Sequence, residues 1–142
     1  RPHRLDAARA LGARVFPADG DEGRAVAAAA GGFGVDVAIE AAGTQAAIDA
    51  AVAAVRPGGR VAIAGIPSEE RTSFVAAVAR RKGLTLTLVR RMKHTYPRAI
   101  ALAAEGRVDL RSVVSHRFPL AEAGRAFDLA ASRAGLKVIL EP

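Results

Sequence analysis

Few residues in this sequence could do chemistry, and most of them follow apolar runs. Ala42-Gly43 comes after Val35-Asp36-Val37-Ala38-Ile39-Glu40, and Ala64-Gly65-Ile66 closes the run that begins at Val61. Small residues at the carboxyl ends of parallel strands let a ligand come against the backbone and leave peptide groups free to bond it. Tight strand-to-helix turns with no ligand use the same residues. Arg90, Arg91 and Met92 follow a third apolar run, residues 84–89. A guanidinium there can orient a substrate hydroxyl, or it can be solvated or form an interdomain salt bridge. Glu40 sits in an apolar context at a strand end, where an acid/base role competes with a structural one. The expectation is structural, a carboxylate bonded to nearby backbone amides. His3, His94 and His116 have no metal-ligand spacing among them, and there is no cysteine. No thiolate metal site or disulfide can form, and none of the histidines is expected to hold zinc. His94 is a candidate for the rim of a site.

The elements that must position these residues alternate. Leu5, Ala8 and Leu11 share a helical face that Gly12 ends, and a short strand is expected over residues 13–16. Asp19, Asp21 and Glu22 lie where a helix N-terminus welcomes negative charge, and that helix runs to Gly31-Gly32. Residues 35–39 read as a buried strand. Thr44 is a good N-cap for a helix carrying Ile48, Val52 and Val55 on its apolar face. Pro57-Gly58-Gly59 ends that helix, and residues 61–66 form a nearly continuous apolar strand of the kind covered on both faces. A helix over residues 74–81, a strand over 84–89 and a helix opened by Pro97 and closed by Gly106 follow. This order predicts an α/β fold with a doubly wound parallel sheet, its strands centred near Val15, Val37, Ile63 and Leu86. A β-α-β tail follows, over residues 113–118, 121–131 and 136–140. The domain boundary is placed between residues 1–107 and 108–142.

Size and composition allow one sizeable core, built largely through alanine, valine, isoleucine and leucine because only 4% of the chain is aromatic. No apolar stretch approaches the ~18–20 residues of a transmembrane span, and Arg1-Pro2-His3-Arg4 has no signal-like apolar run. A membrane partner is not expected. The formal net charge of +7 raises the question of nucleic acid. The basic residues are mostly single, and Arg80-Arg81-Lys82 and Arg90-Arg91 lack neighbouring aromatics that would stack bases. Nucleic acid is therefore not expected either.

Three stretches, in this order, resemble the zinc-type medium-chain alcohol and polyol dehydrogenases. They are residues 35–43, then Arg56-Pro57-Gly58-Gly59-Arg60-Val61 running into Gly65-Ile66, then His116-Arg117-Phe118-Pro119-Leu120 followed by Gly135-Leu136-Lys137-Val138-Ile139-Leu140. The resemblance covers essentially the whole chain. Within the family, the sorbitol and xylitol branch has an Arg-Tyr pair six and five residues before a proline. Arg91 matches that arginine ahead of Pro97, while Met92 replaces the tyrosine. Threonine dehydrogenases have a related Arg-x-Met pattern.

The resemblance implies a Rossmann-type domain whose first strands precede Arg1, and a C-terminal segment returning to a GroES-like catalytic domain. It implies NAD as cofactor, with NADP possible, and zinc held outside these residues. It implies a small alcohol or polyol as substrate, a cytoplasmic setting and a homo-oligomer when full length. Arg4 would contact the adenosine ribose. Ala42, Gly43, Ala64, Gly65, Ile66 and Arg90 would contact the cofactor, and Arg91 and Met92 would face the substrate. Two other classes remain open. Methyltransferases that use S-adenosylmethionine also place Pro-Gly-Gly before an apolar strand, but their sheet usually ends in an antiparallel hairpin. A non-catalytic nucleotide-binding module should close its own sheet. The 142-residue chain alone is expected to turn over no alcohol with NAD, because no glycine-rich first turn is present to hold the pyrophosphate. Steady NADH production from any alcohol by the isolated chain would refute this.

Overall fold

The computed structural model of the chain describes residues 1–69, 71–90, 92 and 94–142. The elements in order are α1 (Pro2–Ala10), α2 (Glu22–Ala29), β1 (Val35–Glu40), α3 (Gln45–Ala54), β2 (Val55–Ile63) and α4 (Ala76–Lys82). They continue with β3 (Thr85–Leu88), α5 (Tyr96–Ala104), β4 (Val114–Pro119), a 3-10 turn (Leu120–Glu122), α6 (Ala123–Ser132) and β5 (Lys137–Glu141). They fall into two compact units, residues 14–93 and residues 1–13 with 94–142.

In the first unit, β1, β2 and β3 form a parallel sheet in that order. Parallel neighbours need a crossover, which α3 supplies between β1 and β2 and α4 between β2 and β3. The central strand carries the core. Val55 and Val61 are fully buried, with Val52 and Ile63 beside them and Val35, Ala38, Val78, Leu84 and Leu86 packed around. Ile48 and Val52, one helical turn apart on α3, are buried as their spacing predicts. Val55, the third member of that set, is buried as the first residue of β2 instead.

Two departures from the sequence reading are instructive. Pro57-Gly58-Gly59 is not a turn between helix and strand, because α3 ends at Ala54 and β2 begins at Val55. Val35 pairs with Val55 but Val37 pairs with Arg60, so the four residues 56–59 stand opposite the single Asp36 and form a bulge. Arg56 ties it down, its Nε donating to Asp36 Oδ1 at 2.6 Å and its Nη1 to Pro57 O at 2.8 Å. The second departure is the strand expected over residues 13–16, which is not one. A strand exists only as a partner in a ladder, and residues 13–16 pair with none of the described strands. Phe16 instead lies under the Arg14 guanidinium, 5.5 Å from ring centre to Cζ. Three of the four expected strands are thus present and parallel.

In the second unit, β4 and β5 are parallel, joined through α6, which packs on both. The β-α-β tail is as the sequence reads. Ser115 Oγ accepts from Leu136 N at 2.9 Å and donates to Lys137 O at 3.2 Å, knitting the two strands at their start. Arg1 Nη1 reaches Ser132 O at 2.9 Å, covering the end of α6. Among the described residues, no helix is long and apolar enough to cross a membrane.

Lys82 holds the end of α3. Its Nζ donates to Val52 O at 3.0 Å, Ala53 O at 2.8 Å and Val55 O at 2.7 Å. The last carbonyls of a helix have no partner within it, and a cation there also meets the negative end of the helix dipole. Burial draws the Lys82 pKa below the ordinary lysine value, so these carbonyls are what keep the ammonium in place. Lys82→Met keeps most of the stem but not the donors. It is expected to lower unfolding free energy by about 1–3 kcal/mol, measurable by urea denaturation, whereas Arg80→Met should change it little.

Candidate functional site

Five of the expected cofactor residues, Ala42, Gly43, Ala64, Gly65 and Ile66, lie just past the carboxyl ends of β1 and β2, and Glu40 joins those ends. Glu40 is the last residue of β1 and is only 3% exposed. Its Oε1 accepts from Ala42 N at 2.6 Å and Gly43 N at 2.7 Å, which curls the chain after β1 into a tight turn. Its own carbonyl accepts from Ala64 N at 2.7 Å and Gly65 N at 3.0 Å, extending the ladder past the end of β2. One residue therefore fixes both turns. The structural reading of Glu40 holds, and its carboxylate is engaged in bonding the turn. Its other oxygen, Oε2, is buried without a hydrogen-bond partner among the described residues.

The glycines explain how closely the turns approach. Gly43 has φ of 71°, a conformation that side chains resist, and a Cβ on it would sit 2.4 Å from Ile66 O. A Cβ on Gly65 would sit 2.2 Å from Gly43 N and 2.5 Å from Glu40 Oε2. The two turns thus touch backbone to backbone. Ala42, Ala64 and Ile66 are exposed around this contact, Ile66 with 68% of its surface free. After the first turn, Thr44 Oγ1 accepts from Ala47 N at 3.3 Å and caps α3, as the sequence predicts.

The other expected site residues are spread more widely. Arg90 is exposed just beyond β3, whose ladder is prolonged by Val89 N donating to Ile63 O at 2.9 Å. Met92 is half exposed. Arg91 lies outside the described residues. Arg4 is exposed on α1, in the other unit. That unit also holds the three histidines. His3 has its Nε2 buried without a partner among the described residues, His94 has a positive φ of 53°, and His116 Nδ1 lies 2.9 Å from Ser115 Oγ.

One contact beside the turns had no signal in the sequence. Gln45 Nε2 donates to Ser73 O at 2.8 Å, while Gln45 Oε1 accepts from Ser73 Oγ at 2.8 Å and Ser73 N at 3.3 Å. The residues are 28 apart, and no periodicity marks either one.

The turns fit one end of a dinucleotide. Two adjacent parallel strands end side by side, no side chain rises from Gly43 or Gly65, and Ile66 offers an aliphatic surface to a flat ring. A metal finds no such fit. Among the described residues, no three His, Cys, Asp or Glu side chains gather as a metal ion requires.

Comparison with known proteins gives the family. The sequence pattern of the zinc-binding dehydrogenases matches residues 1–105. A putative D-xylulose reductase of Rhizobium meliloti is 41% identical over 106 residues, 75% of this chain and 30% of that protein. A probable zinc-binding alcohol dehydrogenase of Mycobacterium tuberculosis is 32% identical over 142 residues, covering 98% of this chain and 36% of the relative. The solved alcohol dehydrogenase from Thermus sp. ATN1 superimposes with a TM-score of 0.90 at 35% identity, over 100% of this chain and 42% of that one. The chain thus spans between 30% and 42% of the length of these relatives, and it belongs to the zinc-binding dehydrogenase family.

The backbone contact between the turns sets a test. Gly65→Ala forces a methyl group into Gly43 N, where only backbone movement can relieve it. It is expected to cost about 1–3 kcal/mol of stability, read from the urea midpoint. An unchanged midpoint would mean that the turns are looser than described.

Proposed function

We propose that this member of the zinc-binding dehydrogenase family supplies the nicotinamide side of an oxidoreductase that moves a hydride between an alcohol or polyol and NAD(P). The observation that carries the reading is the pair of turns at residues 42–43 and 64–66, held together by Glu40 and bare at Gly43 and Gly65. A nicotinamide laid against Ile66 would bring its carboxamide to the peptide groups of these turns. NAD is preferred over NADP. Residues 1–107 belong to the dinucleotide-binding domain in this reading, and residues 108–142 return to the catalytic domain. Arg4 contacts the adenosine ribose.

Zinc in such an enzyme polarises the substrate hydroxyl, and we place its ligands outside these 142 residues. What the chain itself does is bind and orient. Ile66 and the two turns hold one face of the nicotinamide, Arg90 lies beside the cofactor, and Arg91 and Met92 form part of the substrate wall. The names of the relatives cited above support the alcohol or polyol class. A methyltransferase is disfavoured by the tail, where β4 and β5 are parallel instead of forming an antiparallel hairpin.

Arg91 tests the substrate side. It follows a strand carboxyl end, where open parallel sheets bind ligands. In the intact natural polypeptide carrying this sequence, Arg91→Ala is expected to lower kcat/KM by roughly 2–4 kcal/mol of transition-state stabilisation. The thermal midpoint should stay near that of the wild type. A kcat/KM within about twofold of wild type would make Arg91 scaffolding, and loss of both quantities would make it a strut. A panel of polyols and threonine, assayed with NAD and NADP, would then separate the two substrate branches.

A further inference from the structure

The clasp between Gln45 and Ser73 joins the first residue of α3 to the connection that leads from β2 to α4. A single side-chain amide takes up the N–H, the carbonyl and the hydroxyl of Ser73. Both residues are exposed, so the clasp buries nothing and adds little to the core. Its position is what gives it meaning. Gln45 lies two residues after Gly43, and the connection it grips has already touched Gly43 at Gly65 and Ile66. The same short stretch, residues 43–45, therefore holds the connection near its beginning and again at Ser73.

A connection of twelve residues, from Ile63 to Ala76, has considerable freedom when only its ends are fixed. Gly65 and Ile66 lie at its start, against Gly43, but Gly65 has no side chain and that of Ile66 is largely exposed, so neither locks the turn. Fixing Ser73 to α3 restricts the chain that leaves them. Without this restraint, the backbone bonds that hold the turn after β2 among the described residues are the two from Ala64 N and Gly65 N to the Glu40 carbonyl.

We propose that Gln45 is a positioning residue: by gripping Ser73 it holds the turn at residues 64–66 in register with the turn at residues 42–43, and so sets how tightly the nicotinamide end of a dinucleotide is bound. The ligand in this statement rests on the preceding reading, whereas the restraint on the two turns does not.

The experiment uses the intact natural polypeptide carrying this sequence, with Gln45→Ala, Ser73→Ala and Ser73→Thr. Three quantities are measured: the NADH dissociation constant by fluorescence titration, hydrogen exchange at the amides of Ala42, Gly43, Ala64 and Gly65, and the thermal midpoint. Gln45→Ala is expected to raise the dissociation constant about tenfold and to speed exchange at Ala64 and Gly65 about as much. The midpoint should move by no more than about two degrees. Ser73→Ala retains the two backbone contacts and should shift both readouts in the same direction by less, and Ser73→Thr should restore them. Unchanged affinity and exchange in Gln45→Ala would overturn the proposal. So would a large fall in midpoint in both Gln45→Ala and Ser73→Ala, which would make the clasp a structural strut. If the wild type bound neither NADH nor NADPH, the preceding reading would fail, and the exchange rates alone would decide the restraint: faster exchange at Ala64 and Gly65 supports it, and unchanged exchange overturns it.

Discussion

The arrangement of the proposed site depends on one residue bonding in two directions. Glu40 uses its side chain on the turn that follows it and its carbonyl on the turn beside it. A carboxylate is expensive to bury unless its oxygens find donors, and two backbone amides of a tight turn are well placed to serve. Because the donors belong to the chain directly after the strand, the bond shapes the turn as well as stabilising the charge. Gly43 and Gly65 then let the two turns close on each other. A bulkier residue at either place would separate the strand ends that the ligand is proposed to bridge.

The rest of the sheet keeps those ends level. Val55 and Val61 anchor the central strand, and the bulge at residues 56–59 absorbs surplus chain near its start. Side chains alternate along a strand, so a slip of one residue would exchange the buried and exposed sets. Placing the surplus in a bulge leaves residues 60–63 paired without a break up to Glu40. Where α2 meets α3, Gly23 lies against Ala50 and Ala53, so the two helices come together without bulky side chains between them.

The fold could be read from the sequence wherever a pattern repeated. Alternating apolar runs gave β1, β2 and β3, Thr44 marked the start of α3, and the β-α-β tail followed from its own periodicity. Glu40 could be read because a lone carboxylate in an apolar strand end has few other uses. Residues 13–16 misled because strand propensity in Val15 and Phe16 says nothing about whether a partner strand is beside them. Pro57-Gly58-Gly59 misled for a related reason, since a turn and a bulge draw on the same residues and only pairing distinguishes them. The Gln45–Ser73 clasp and the grip of Lys82 on α3 were invisible because both join residues far apart in sequence through single polar contacts.

Lys82 carries a consequence for the chemical reactivity of the protein. An amine attacks acylating reagents through its lone pair, which the ammonium does not have. Here, among the described residues, the ammonium donates to the carbonyls of Val52, Ala53 and Val55. To react, Lys82 must lose its proton and leave that end of α3 unsatisfied, so the folded protein shields it even though burial favours the neutral form. Lys137, on the exposed face of β5, has no such shield. The ratio of acylation at these two lysines therefore works as a chemical clock for the opening of α3, one that needs neither a ligand nor an assay of turnover.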